Sequence, residues 1–165
     1  MSIKVYFDLD GTLFDLYGQS DWLYRIENEI EGVFSKGDFL SELNVKKFKE
    51  VATKLLSYGV EFGVITWLPM QASPEYEEIC TKEKTKWVKQ NLPFVKTICC
   101  QSYGIPKQNA IKTRAKEMYL IDDNKSVCET WETAKMRKAV NVSKNYTALD
   151  FLIELLNRIE GENGG

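Results

Sequence analysis

Ile3, Val5, Phe7 and Leu9 alternate with Lys4, Tyr6, Asp8 and Asp10, the two-residue period of a strand. Tyr6 makes the second face partly apolar, which suits a strand buried on both sides. Residues 14–18 read as loop. Leu23, Ile26, Ile30, Val33 and Phe34 then recur at helical spacing behind a Ser20 or Asp21 cap, and Ser35-Lys36-Gly37-Asp38 breaks the run. Asn44 is placed to cap a second helix with Val45, Phe48, Val51, Ala52, Leu55 and Leu56 on its face. Gly59 follows where a left-handed C-terminal cap belongs.

The same reading continues to the end of the chain. Val60 to Thr66 is a second strand, rich in β-branched and aromatic residues. Ser73-Pro74 starts a helix with Ser as cap and Pro in the first turn, followed by Glu75, Glu77 and Glu78 where the helix dipole favours negative charge. That helix runs to about Asn91, and its lysine-rich stretch, Lys82 to Lys89, reads as a solvated face. Val95 to Cys100 is a third strand, Lys107 to about Ala115 a short helix, and Met118 to Ile121 a fourth strand. Ser126 to about Arg137 is helix, Lys138 to Val142 a fifth strand, and Thr147 caps a last helix bearing Leu149, Leu152, Ile153, Leu156 and Ile159. Residues 161–165 read as a flexible tail.

Strands alternating with helices predict an α/β fold in three layers, Rossmann-like: a five-stranded parallel sheet with helices on both faces. At 165 residues one domain over 1–160 suffices. Composition changes this picture little. An apolar fraction of 44% and a charged fraction of 28% are those of an ordinary globular protein, and a net charge of −2 speaks against nucleic-acid binding by bulk electrostatics. No apolar run reaches membrane-spanning length and no signal-peptide pattern opens the chain, so a cytoplasmic protein without a membrane partner is expected. Cys80, Cys99, Cys100 and Cys128 form no C-x-x-C, so reduced thiols are expected rather than a disulfide or zinc site. The absence of histidine carries more weight: it eliminates Ser-His-Asp and Cys-His catalysis and leaves acid–base work to carboxylates, Lys, Tyr or Cys.

In a parallel sheet, ligands bind beyond the carboxyl ends of the strands. The first strand ends at Asp8 and Asp10, two residues apart and able to project the same way. Their repulsion calls for a shared proton or a hard divalent cation such as Mg²⁺. Gly11 frees the backbone to turn. The second strand ends at Thr66, the loop after the third delivers Lys107, and the fourth ends at Asp122 and Asp123. Four carboxylates, a hydroxyl and an ammonium suit Mg²⁺ together with a phosphoryl group. Each also has a plainer reading. Thr66 alone is a strand end, Lys112 rivals Lys107, and Asp122-Asp123 would serve as helix caps. Trp67 and Met70 serve either substrate contact or core packing.

Asp8-Leu9-Asp10-Gly11-Thr12, Thr66 in Val64-Ile65-Thr66-Trp67, Lys107 and Asp122-Asp123, in that order and spacing, resemble the haloacid dehalogenase-like (HAD) phosphatase superfamily over nearly the whole chain. The run Ile65-Thr66-Trp67, then Trp87, Tyr103-Gly104 and Lys107, is similar to a group of small phage and bacterial members, some of which carry a nucleotidase-like label. The resemblance implies a phosphomonoester hydrolase with Mg²⁺ as cofactor. It implies Asp8 as the nucleophile that forms an aspartyl-phosphate and Asp10 as acid and then base, its backbone carbonyl also on the metal. Thr66 and Lys107 would hold the phosphoryl group, and Asp8, Asp122 and Asp123 would complete the metal site. Such proteins select substrates through a cap inserted after the first motif or the third strand. Here only about residues 16–43 are available, a minimal helical cap insert. A comparatively open site is therefore expected, taking small phosphomonoesters or a macromolecular phosphate such as a polynucleotide end or phosphoprotein, or relying on a partner subunit. A homo-oligomer stays open, as does a binding or regulatory module with little turnover.

Overall fold

The computed structural model describes residues 2–164. Its strands are β1 (Ile3–Phe7), β2 (Glu61–Trp67), β3 (Val95–Gln101), β4 (Glu117–Asp122) and β5 (Arg137–Asn141). Its helices are α1 (Trp22–Glu27), α2 (Val45–Ser57), α3 (Pro74–Asn91), α4 (Lys125–Trp131) and α5 (Ala148–Gly164), with a single 3-10 turn over Lys107–Ala110. All strand pairs are parallel, in the order β3-β2-β1-β4-β5. The direction of winding reverses between β1 and β4, so these two neighbours flank the crevice where such sheets bind ligands.

β1 is the central strand of the sheet. Phe7 is fully buried, its ring 5.7 Å from Phe62 and 5.5 Å from Phe48. Burying a side chain of this size contributes about 2–3 kcal/mol, and here it anchors the residue directly before Asp8. The large core on this side of the sheet takes in α2, the apolar face of α3 and α5. A smaller core on the other side joins Tyr6, Ile65, Met118 and Leu120 to Val127 and Trp131 of α4. Helices therefore cover both faces, as the alternation predicts.

Local signals set most boundaries. The Asn44 side chain accepts from the Lys47 N–H, and Ser73 Oγ accepts from the Tyr76 N–H. Thr147 and Asp150 cap α5 reciprocally, the Thr147 N–H donating to Asp150 Oδ2 at 2.8 Å. Gly59 adopts φ +89° at the end of α2. No helix among the described residues is long and apolar enough to cross a membrane.

The insert departs from expectation. The predicted helix through Phe34 ends at Glu27. Glu29 and Gly32 take φ +53° and +97°, which no helix allows. A tertiary contact is the reason: the Glu83 carboxylate on α3 accepts the N–H groups of Gly32 (2.8 Å) and Phe34 (3.1 Å). Val33 and Phe34 are thereby buried, while Leu23 and Ile30 remain exposed on what the periodicity treats as the same face. Two other predicted helices are shorter than expected. The Lys107 segment makes one turn to Ala110, because Ile111 is extended. α4 stops at Trp131, whose carbonyl accepts from Arg137 Nε at 3.0 Å. At the other end of the chain, α5 continues through Gly164 rather than ending near 160.

Candidate active site

Asp8 extends the β1 ladder by one rung, its N–H donating to the Ile121 carbonyl at 2.9 Å. One carboxylate oxygen accepts from Lys107 Nζ at 2.9 Å and the other from Thr12 Oγ1 at 3.0 Å. Lys107 also donates to Asp122 Oδ2 at 2.7 Å, so one buried ammonium bridges the ends of β1 and β4. Thr12 joins the same two ends, accepting the Asp123 N–H at 3.1 Å. Gly11 makes the approach feasible. It has φ +82°, and a Cβ there would stand 2.3 Å from Asp123 Oδ2.

Asp8, Asp122 and Asp123 each offer an oxygen, all within 4.8 Å of one another. Partial burial, then the charges of Asp8 and Asp122, push Asp123 up to about 8. Burial, then Asp8, push Asp122 up to about 6. Burial works against the Lys107 ammonium, but Asp8 and Asp122 outweigh it and raise its value. Three crowded carboxylates with one ammonium between them fit a hard divalent cation. The donors are all oxygen, and the chain holds no imidazole to favour a softer metal.

Asp10 stands apart from that cluster. Its Oδ2 accepts from Lys84 Nζ at 2.9 Å, and its Oδ1 is buried without a hydrogen-bond partner. Burial raises its value, and the nearby Lys84 charge opposes the rise. Lys84 is the residue that the sequence reading misplaces. It does not lie on a solvated face: it is 1% exposed. It also donates to Thr66 Oγ1 (2.9 Å) and to the Trp67 carbonyl (2.7 Å), and it lies 4.5 Å from the Phe34 ring centroid. A signal for this exists in the sequence. Tyr76, Cys80, Lys84, Trp87 and Val88 form one helical stripe, and Lys84 sits at its middle.

Thr66 is fully buried, its hydroxyl accepting from Lys84 and keeping its own proton to donate. Lys112 is not at this centre. It is exposed and lines a separate depression of about 440 Å³ over β2 and β3, beside Lys96 and Thr97. Met70 is 62% exposed and not a core residue, whereas half-buried Trp67 packs against the smaller core, and both line the cleft above Asp8.

That cleft has a volume of about 400 Å³ and runs from Asp8, Asp10, Lys107, Asp122 and Asp123 outward. The insert forms part of its wall through Tyr17, Trp22, Leu23 and Phe34 without sealing it, since Tyr17, Leu23 and Tyr103 remain exposed at its rim.

No protein-family model matches the chain, and no curated protein matches it. Among solved structures it is similar to the crystal structure of D,D-heptose 1,7-bisphosphate phosphatase from Burkholderia thailandensis. The TM-score is 0.46 at 10% identity, covering 93% of this chain and 97% of that one.

Proposed function

We propose that this chain is a Mg²⁺-dependent phosphomonoester hydrolase of HAD type that works through an aspartyl-phosphate on Asp8. The observation that carries the reading is the separation of two nearby carboxylates into different environments. Asp8 is paired with Lys107 beside the Asp122–Asp123 cluster, whereas Asp10 is buried, raised and partnered by a different lysine. Two neighbouring carboxylates with different ionic partners and different surroundings are the equipment of a nucleophile and an acid–base.

In the first step an Asp8 oxygen attacks phosphorus and the bond to the ester oxygen breaks, while Asp10 protonates the departing oxygen. In the second, Asp10 takes a proton from water, the water oxygen attacks phosphorus, and the acyl-phosphate bond breaks. Asp8 is regenerated and inorganic phosphate leaves. The unpartnered Asp10 Oδ1 is the atom free to carry that proton. Lys107 offsets charge on the phosphoryl oxygens, and Thr66 donates its hydroxyl proton to one of them. Asp8 and Asp122, with Asp123 and the Asp10 backbone carbonyl, would hold Mg²⁺, which when bound neutralises the carboxylate cluster and polarises the phosphoryl group. Four free cysteines accord with a reducing, cytoplasmic setting.

The test is hydrolysis of an aryl phosphate with and without Mg²⁺, by the native chain and by Asp8→Asn. Turnover that requires both metal and Asp8 is expected. Its absence across nucleotides, sugar phosphates and 3′-phosphorylated DNA would leave a binding module instead.

A further inference from the structure

Lys84 is a buried charge with no part in the two steps at Asp8. It is 1% exposed, and its ammonium commits every proton: to Asp10 Oδ2 (2.9 Å), to Thr66 Oγ1 (2.9 Å) and to the Trp67 carbonyl (2.7 Å). Phe34 covers it from the insert, with the ring centroid 4.5 Å from Nζ. Phe34 lines the cleft and Lys84 does not. The ammonium therefore does not touch a substrate. It acts on the reaction only through the groups it holds.

The helix that carries Lys84 is itself held on both sides of it. Tyr76 Oη donates to the Ile30 carbonyl at 2.9 Å, and Trp87 Nε1 donates to the Gly37 carbonyl at 2.8 Å. The Glu83 carboxylate takes the N–H groups of Gly32 and Phe34. A helix tied at positions 76, 83 and 87 fixes the base of the Lys84 side chain between them.

What the ammonium decides is the attitude of the Asp10 carboxyl. A carboxyl group turns easily about its last bond, so an unheld Asp10 would offer either oxygen to the cleft. Here Oδ2 is taken by Lys84, and Oδ1, which has no partner, is the oxygen left for proton transfer. A misplacement of about 1 Å in a reacting group costs about 10²-fold in rate. Lys84 also meets the charge that the transfer creates. The Oδ1 proton passes to the ester oxygen as the bond from that oxygen to phosphorus breaks and the bond from Asp8 forms. A carboxylate anion is then left in a buried place, and the ammonium facing Oδ2 offsets it.

Resting on the phosphohydrolase reading above, we infer that Lys84 is the positioning residue of the acid–base. It holds the Asp10 carboxyl with Oδ1 toward the leaving group, and its loss disables protonation of that group more than attack by Asp8.

Leaving groups read this out. 4-Nitrophenolate departs readily without a proton, whereas phenolate, of similar shape, needs the acid more. The experiment measures kcat/KM with Mg²⁺ on phenyl phosphate and on 4-nitrophenyl phosphate. The ratio of the two cancels what they share: folded fraction, metal loading and the Thr66 contact. Lys84→Met should lower the phenyl-to-nitrophenyl ratio by about 10-fold, a part of the ~10²–10⁴ that an acid contributes. In an Asp10→Asn background the same substitution should leave the ratio unchanged, because the acid it serves is gone. Lys84→Gln, which keeps a polar group there without the charge, takes its place if Lys84→Met does not fold, and should lower the ratio as well. Equal losses on both substrates in a folded variant, or the same fall with Asp10 already replaced, would overturn the assignment alone. A native chain without Asp8-dependent turnover of either substrate would sink the phosphohydrolase reading and this role with it. Nitrogen-15 NMR of the metal-free chain needs no turnover. The Lys84 ammonium should give a slowly exchanging resonance that Asp10→Asn makes exchange faster, and rapid exchange in the native chain would show that Asp10 is not held.

Discussion

The Lys84 ammonium lies 2.9 Å from the Asp10 carboxylate, with only 1% of the lysine side chain and 18% of the aspartate exposed. The pair crosses from the middle of α3 to the loop after β1, and Thr66 and the Trp67 carbonyl take the remaining lysine protons. A charge this deep is tolerated only because every proton has a partner. Lys84→Met should cost about 3 kcal/mol in urea unfolding by leaving Asp10 uncompensated. Adding Asp10→Asn should return part of that loss, since no buried charge then remains. A double variant less stable than the single one would refute this coupling.

Asp8 and Asp10 should fail differently. Asp8→Asn removes the nucleophile, so turnover should fall by a factor on the order of 10⁶. Asp10→Asn leaves the nucleophile and the metal ligands in place, so the fall should be about 10²–10⁴. With Asp10→Asn, the acyl-phosphate should form faster than it is hydrolysed when the leaving group is a good one. Pre-steady-state kinetics with excess aryl phosphate, showing a burst in Asp10→Asn and none in Asp8→Asn, would check both.

Asp122 and Asp123, pushed up to about 6 and about 8, hold protons in the folded chain that the unfolded chain has already released. The unfolded state therefore binds fewer protons between about pH 5 and 8, and stability falls as pH rises through that window. Lys107, raised, keeps its charge throughout and does not reverse the trend. In chelator, Tm should drop from pH 5 to pH 8. Mg²⁺ should raise Tm, and by more at pH 8, because the cation takes the deprotonated carboxylates. A flat Tm in chelator, or equal gains at both pH values, would count against the cluster.

Gly11→Ala should weaken metal binding as well as the fold. The positive φ costs about 1–2 kcal/mol for a residue with a Cβ. The new methyl would also press on the Asp123 carboxylate. Mg²⁺ titration followed by calorimetry should show at least about a 10-fold loss of affinity, the scale of disturbing a group that orients a ligand. Unchanged affinity in a folded variant would show that Asp123 is not held by this approach.

Legibility in the sequence tracks how local each cause is. Asn44, Ser73 and Thr147 cap helices through residues three positions away, so their signals are complete in the chain. The carboxylates of Asp8 and Asp122-Asp123 follow buried apolar strands, and the placing of such strand ends at one sheet edge follows from the α/β alternation itself. Lys107 stands at the head of its segment, ahead of its rival Lys112, and the fold brings it between Asp8 and Asp122.

Alternation and end chemistry thus determined the parallel sheet and the set of polar residues at its edge, because period-two burial and strand direction are properties of the chain alone. Tertiary structure decided the rest. It took Lys84 out of solvent and set it against Asp10, bent residues 28–34 around the Glu83 carboxylate, and turned Trp67 outward into the cleft. In each case the deciding partner lies roughly forty to seventy-five residues away. A lysine on a charged helix reads as solvated until the fold shows what faces it.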